Sequence, residues 1–185
     1  MFHSCLLRED PLWRDDRLPK TSGIPGGIRS WLEESASLTA RLRAATGEIR
    51  VEVKKQGWGR PFLSEASQLG LPWGRLAWVR EIILSGAGRP LLLARTIAPQ
   101  STLAGAGSQF TRLGTRPLGE VLFTSPYIWR ERLEWTRLPA GIWKLPGLQP
   151  LPQWGRRALY RVSGRPLLVS EFFMPSVFSL EHGDG

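Results

Sequence analysis

The sequence predicts an α+β domain built on an antiparallel sheet of about six strands. Three observations support this fold class. Apolar and polar residues alternate at every second position in segments such as "EIRVEVKK", which is the pattern of strands. Short glycine-containing turns join two pairs of strand-like segments, as in hairpins, and helix-like segments are grouped between the strands. The chain has 185 residues, 42% of them hydrophobic, which is enough for one domain with a sizeable core.

The N-terminal part predicts an irregular lead-in followed by two short helices. Residues 1–27 form the lead-in, because prolines and glycines are concentrated in its second half. Apolar residues then recur at helical intervals, Ser37 is placed to cap a second helix that begins at Leu38, and Gly47 is placed to end it. The apolar positions of the two helices are Ile28, Trp31, Leu32, Leu38 and Leu42.

The rest of the chain predicts six strands with helical segments between the third and the fourth. Ser108 is a candidate helix cap, Gly114 a helix stop, and Pro117 the first residue of a further helix. We expect the folded domain to span residues 28–178 and to be followed by a flexible C-terminal tail at 179–185. A proline-broken loop is expected at 141–153. The predicted strands are 49–54, 76–84, 91–98, 127–138, 158–163 and 167–174.

Several classes of chemistry find no support in the composition. Cys5 is the single cysteine, so no internal disulfide is expected, and His3 and His182, the two histidines, lie near the termini. The sequence contains no metal-ligand cluster, no glycine-rich phosphate loop and no nucleophile triad, so no cofactor and no metal are expected. A secretory signal and an apolar span of about 18 residues are also absent. These features predict a cytoplasmic protein without membrane insertion.

The net charge of +9 raises the question of nucleic-acid binding. Aromatic residues are interleaved with arginine in "YIWRERLEWTRL", and stacking rings beside a basic groove are typical of single-strand binding. The charges in this stretch alternate in sign, however, instead of forming one basic stripe. We therefore predict no nucleic-acid partner, and a positive field that attracts small anions.

Three charged residues occur in the middle of otherwise apolar strand faces. Arg80, Arg95 and Glu171 each share a face with apolar residues two positions away on either side. A buried charge needs a partner, so one interpretation is a mutual ion-pair network. The excess of two arginines over one glutamate favours a second interpretation, in which an acidic ligand with two carboxylates completes the balance. The helix starts at Leu38 and Leu118 offer free backbone N–H groups to such an anion, although plain packing is the commoner role of a helix start.

Four blocks of the sequence resemble the chorismate pyruvate-lyases of ubiquinone biosynthesis. They are "WVREIIL", "ARTIAPQSTL", "LGTRPLGEVLF" and "WGRRALYRVSGRPLLVSEFFMP", in the order and spacing of that family, and the resemblance runs from about residue 31 to 175. It implies a six-stranded antiparallel sheet with helices packed around it and a buried ligand pocket. It also implies a cofactor-free enzyme, acting as a monomer, that splits chorismate into 4-hydroxybenzoate and pyruvate.

The resemblance also implies roles for five residues. Arg80 would hold the ring carboxylate together with the backbone of Leu38 and Leu118, and Glu171 would contact the ring hydroxyl. Arg95 would bind the pyruvyl carboxylate. Arg80, Arg95 and Glu171 are thus the expected catalytic set. The alternative is a non-catalytic sensor domain of the same fold that binds a small aromatic acid. Such sensors follow a DNA-binding domain, and residues 1–27 are too short to supply one.

Overall fold

A single antiparallel sheet of seven strands forms the centre of the protein. The computed structural model describes residues 3–15 and 24–182, and the strands are β1 (Arg14–Asp15), β2 (Ile49–Gly59), β3 (Ala77–Gly86), β4 (Arg89–Ala98), β5 (Ile128–Arg137), β6 (Trp154–Val162) and β7 (Arg165–Phe173). Their order across the sheet is β1-β5-β6-β7-β4-β3-β2, and every neighbouring pair is antiparallel. The predicted α+β class with six antiparallel strands is confirmed, and the two-residue β1 is an addition at one edge.

The helices lie between the strands and are short. The α-helices are α1 (Gly26–Leu32), α2 (Leu38–Thr46), α3 (Leu63–Leu69), α4 (Gln100–Leu103) and α5 (Gly119–Leu122), and 3-10 helices occupy Ala106–Arg112, Ala140–Ile142 and Pro175–His182.

The predicted limits of the helices are met in some places and missed in others. The start and end of α2 are as predicted: the Ser37 hydroxyl accepts a hydrogen bond from the Ala40 amide at 3.3 Å, and Gly47 follows the helix with a φ of 80°. Two other predictions are wrong, because Ser108 lies inside a 3-10 helix and α5 begins two residues after Pro117.

Two tight hairpins fix the pairing of the central strands. Ala87 and Gly88 connect β3 to β4 with φ values of 49° and 74°, and Ser163 and Gly164 connect β6 to β7 with φ values of 48° and 81°. Two consecutive residues with positive φ match the right-handed twist of the flanking strands, which is why such turns favour glycine. These turns determine which side chains share a face.

Both faces of the sheet are covered by apolar packing. One face carries Ile82, Leu92 and Val169, which pack beneath α1, α2 and α5. The opposite face carries Leu93 and Phe172 among other apolar residues. Within the described residues, no helix is long and apolar enough to cross a membrane.

The first described segment of the N-terminal lead-in packs on the second face of the sheet, whereas Ile24 packs on the first. Leu6 and Leu7 are fully buried beside Phe172, and Leu7 forms a β-bridge with Trp143 in the 141–153 loop. Residues 16–23 of the lead-in and residues 183–185 of the expected tail lie outside the described residues, whereas residues 179–182 continue a 3-10 helix. The domain boundaries at residues 28 and 178 stay predictions.

Candidate active site

A small, partly open pocket lies between the first face of the sheet and the two helices α2 and α5. Its cavity volume is about 30 Å³, so a ligand of ten or more heavy atoms fits only when the lining residues move apart. Strands contribute an apolar floor and five polar side chains, which are Arg80, Thr96, Arg156, Tyr160 and Glu171. The covering residues are Leu38, Thr39, Pro117, Leu118, Gly119, Leu122 and Phe123.

Arg80 is a buried cation without a carboxylate among its described hydrogen-bond partners. Its residue is 1% exposed, and its Nη2 donates to the carbonyl oxygens of Gly114 at 2.9 Å and of Arg116 at 3.2 Å. The Nε of Arg80 has no hydrogen-bond partner in the described structure. Desolvation by burial lowers the pKa of Arg80 to about 10, which leaves the group charged at neutral pH. A buried, incompletely satisfied guanidinium that lines a pocket is suited to bind an anion.

Glu171 lies opposite Arg156 in the pairing of β6 with β7 and forms an ion pair with it. Arg156 Nε donates to Glu171 Oε2 at 2.8 Å, and the side chains are 1% and 15% exposed, respectively. The second arm of this guanidinium, Nη1, donates to the backbone carbonyl of Glu34 at 2.7 Å. Glu171 also lines the pocket, where a ligand hydroxyl can reach it.

Tyr160 places a phenol group in the same pocket. Burial raises the pKa of Tyr160 to about 12, and the negative charge of Glu171 adds to this effect. The hydroxyl therefore stays protonated at neutral pH and can donate a hydrogen bond.

The first turns of α2 and α5 cover the pocket and lie close to each other there. A Cβ atom on Gly119 would lie 2.9 Å from Thr39 Oγ1 and 3.2 Å from Ser37 Oγ, so the absence of a side chain lets α5 approach α2. An ion pair between Arg43 of α2 and Glu120 of α5 links the same two helices. Leu38 and Leu118, predicted as contributors of backbone donors, both line the pocket.

We expect Gly119→Ala to weaken ligand binding without unfolding the protein. The added methyl group must push α5 away from α2, so the covers close less completely over a bound ligand. We expect a severalfold loss of 4-hydroxybenzoate affinity in a titration, with the thermal unfolding temperature nearly unchanged. Gly141→Ala is the matched control, since a Cβ there meets no atom within 4 Å. Unchanged affinity in Gly119→Ala would contradict this function of the close approach.

Arg95, predicted from the sequence as a catalytic residue, does not line the pocket. Arg95 pairs with Glu81 across β3 and β4, whereas Arg80 pairs with Thr96 one position further along. Successive residues of a strand point to opposite faces, so Arg95 lies on the face remote from the pocket. It is fully buried there, with Nε donating to Glu65 Oε1 at 2.7 Å and Nη1 donating to Glu81 Oε1 at 2.7 Å.

Arg95 is the centre of a buried network that joins α3 and the N-terminal segment to the sheet. Its Nη2 donates to Glu65 Oε2 at 3.0 Å, so the contact with Glu65 is bidentate. Glu81 accepts hydrogen bonds from the hydroxyl of Ser4 and, at 2.7 Å, from the amide of Cys5. Burial alone would lower the pKa of Arg95, but the two carboxylates raise it overall. Arg95 therefore lies in an ion-pair network, but its partners are Glu65 and Glu81 and not the other charges of the mutual network considered from the sequence.

Arg156 and Tyr160 are pocket residues that sequence reasoning missed. The signal for Arg156 was present, because the two-residue turn at Ser163 and Gly164 pairs Val162 with Arg165 and, six positions back, Arg156 with Glu171. Counting the hairpin register outward from the turn finds this pair.

Comparisons with known proteins agree with this geometry. A family model described as "Chorismate lyase" matches residues 11–182. The chain belongs to the chorismate lyase family. A probable chorismate pyruvate-lyase of Methylococcus capsulatus is 45% identical over 159 residues, covering 83% of this chain and 98% of the relative. The chorismate pyruvate-lyase of Pectobacterium atrosepticum is 35% identical over 154 residues, covering 83% of this chain and 80% of the relative.

Among solved structures, PhnF from Mycobacterium smegmatis has a similar fold. The TM-score is 0.53 at 16% identity, and the match covers 77% of this chain and 64% of PhnF. At this identity the likeness concerns the fold alone. Membership of the chorismate lyase family therefore rests on the sequence match.

Proposed function

We propose that this protein is a chorismate pyruvate-lyase that eliminates pyruvate from chorismate without a cofactor and releases 4-hydroxybenzoate. The observation that supports this function best is Arg80, a buried cation that lines the pocket with an unpartnered Nε. An aromatic carboxylate supplies the charge and the acceptor atoms that this group lacks. Glu171 lies in the same pocket and offers an acceptor for a hydroxyl group on the ligand.

The reaction needs little covalent help from the protein. The bond between the ring carbon and the enolpyruvyl ether oxygen breaks, and its electron pair leaves with the oxygen. The neighbouring ring carbon loses its hydrogen as a proton, and that electron pair completes the aromatic ring. The departing enolpyruvate takes up a proton at its methylene carbon and becomes pyruvate. What remains for the protein is to hold a flexible dicarboxylate in the eliminating geometry and to exclude water.

Each pocket residue named from the sequence has a place in this proposal. Arg80 and the backbone N–H groups of Leu38 and Leu118 hold the ring carboxylate, and Glu171 orients the ring hydroxyl and assists proton transfer. The pocket positions of these four residues support the assignment. Arg95 has no role in it, because its side chain lies on the other face of the sheet.

We further propose that the enzyme works in the cytoplasm as a monomer and makes the aromatic precursor for ubiquinone. The domain that carries this activity is proposed to span residues 28–178. The decisive experiment is to incubate purified protein with chorismate and measure 4-hydroxybenzoate and pyruvate. Equal amounts of both products support the proposal, and binding of 4-hydroxybenzoate without turnover of chorismate would favour a sensor instead.

We expect the Glu171→Gln variant to lose most of its turnover rate, although the glutamine side chain keeps the shape of the glutamate. The amide preserves the size of the side chain but removes the negative charge that orients the hydroxyl and assists proton transfer. Steady-state kinetics with chorismate should give a kcat reduced about 100-fold or more, in the range typical of acid–base groups. A kcat near that of the wild type would leave Glu171 only a positioning function.

We expect product release, not bond cleavage, to limit turnover. 4-Hydroxybenzoate retains every proposed contact after pyruvate has left, and its escape requires α2 and α5 to separate. Each 1.4 kcal/mol of retained affinity slows release about tenfold when association is unchanged. Rapid-quench experiments should show a burst of about one product per enzyme before a slower steady rate. Traces that are linear from the first turnover would contradict a slow release step.

A further inference from the structure

We propose that Arg156 is a positioning residue that orients Glu171 and holds the pocket cover in place with the same guanidinium group. This inference rests on the proposed function, because it concerns how Glu171 is presented to the ligand hydroxyl. It adds a residue to which the family resemblance assigned no function. The two arms of Arg156 bind two parts of the site that are far apart in the sequence.

The first arm fixes the carboxylate. Arg156 Nε donates to Glu171 Oε2 at 2.8 Å, and the two residues are direct partners across β6 and β7. The Arg156 side chain is only 1% exposed, so the guanidinium has little freedom to rotate away. With Oε2 held by Arg156, Oε1 of Glu171 is the oxygen available to accept a hydrogen bond from the ligand. A charged donor to a charged acceptor makes this a strong orienting contact.

The second arm reaches the linker at residues 33–37, which connects α1 to α2. Arg156 Nη1 donates to the Glu34 carbonyl at 2.7 Å. The linker ends at Ser37, which caps α2, and the next two residues, Leu38 and Thr39, line the pocket. The position of the linker therefore determines where the start of α2 lies over the pocket. Because Arg156 also binds Glu171, it couples the position of α2 to the orientation of the Glu171 carboxylate.

A simpler alternative is that Arg156 only supports the cover. Arg41 of α2 provides the control, because it also binds the linker but does not contact Glu171 in the described structure. Its Nη1 donates to the Ser30 carbonyl at 2.8 Å and contacts Glu34 Oε2 at 3.1 Å. If Arg156 acts through the cover alone, replacing Arg156 and replacing Arg41 should change ligand binding in the same way.

The test compares the dissociation constants of 4-hydroxybenzoate and benzoate, which differ by the hydroxyl that Glu171 is proposed to bind. A hydrogen bond to a charged group corresponds to about tenfold or more in affinity, so the wild-type protein should prefer 4-hydroxybenzoate by that ratio. Arg156→Gln should lower the ratio to near that of Glu171→Gln. Arg41→Gln should weaken both ligands equally and keep the ratio.

A double-mutant cycle completes the experiment. Arg156→Gln should reduce the ratio in the wild-type background and change it less than about twofold in Glu171→Gln, because coupled residues are not additive. Arg156→Lys, which keeps the charge but not the two-armed geometry, serves if Arg156→Gln does not fold, and it too should lower the ratio. An undiminished ratio in the folded Arg156 variants overturns the inference. A wild-type protein that binds both ligands equally would instead overturn the proposed contact of Glu171.

Discussion

Arg80→Ala should weaken the binding of 4-hydroxybenzoate by about 30-fold or more. The variant removes the buried guanidinium that the ring carboxylate is proposed to contact, and the bound carboxylate would then be buried without its charge partner. Removing one member of a buried charge pair costs about 2–5 kcal/mol, which corresponds to a loss of affinity of about 30-fold or more. Isothermal titration with 4-hydroxybenzoate measures this loss directly.

Two further variants distinguish loss of the Arg80 contact from a general loss of positive charge. Arg132→Ala removes a positive charge from an exposed position on β5 and should leave the affinity within about twofold, since exposed charges are screened by solvent. Arg80→Lys keeps a charge at the site but not the fork geometry, so it should bind more weakly than the wild type and more tightly than Arg80→Ala. Wild-type affinity in a folded Arg80→Ala protein would remove Arg80 from the proposed site.

The fold was predictable where local chemistry decides it. Alternation identified β2, whose odd-numbered apolar positions 49, 51 and 53 are more buried than their neighbours, and the glycine-containing turns identified both hairpins. Ser37 was recognisable as a cap because a side chain that accepts a backbone N–H depends on local sequence alone. α3 was missed, since its stability depends on contacts distant in sequence, among them Glu65 with Arg95.

The misplacement of Arg95 has a definite structural cause. The turn at Ala87 and Gly88 pairs Gly86 with Arg89, and an uninterrupted hairpin with this register would pair Arg80 with Arg95 on one face. The register shifts by one residue between Leu84 and Ser85, so Arg80 pairs with Thr96 instead. A one-residue shift moves every later side chain to the opposite face. The shift lies beside Pro90, and a proline in a central strand indicates a bulge, but alternation alone takes no account of this signal and could not give the pocket side of β4.

Arg95→Met should therefore lower the stability of the protein by a large amount and leave its chemistry intact. The substitution leaves Glu65 and Glu81 buried without their shared cation, with side-chain exposures of 4% and 0%. Breaking a buried ion pair on one side costs about 3–5 kcal/mol. In a chain of this size we expect the unfolding temperature to fall by about 6–20 °C, measured by circular dichroism. The amides of Cys5, Leu6 and Leu7 should lose protection from hydrogen exchange first, because Cys5 donates to Glu81 and the other two donate to the Ser4 hydroxyl, which is itself bonded to Glu81.

Arg95 lies on the face of the sheet remote from the pocket, so its replacement should change stability and not catalysis. Arg161→Met breaks an exposed ion pair with Glu131 and should leave the unfolding temperature nearly unchanged. Below its unfolding temperature, Arg95→Met should retain kcat within severalfold and bind 4-hydroxybenzoate like the wild type, because its side chain does not line the pocket. A folded Arg95→Met protein with full product affinity and no turnover would return Arg95 to the pyruvyl carboxylate, the function that the sequence resemblance implied.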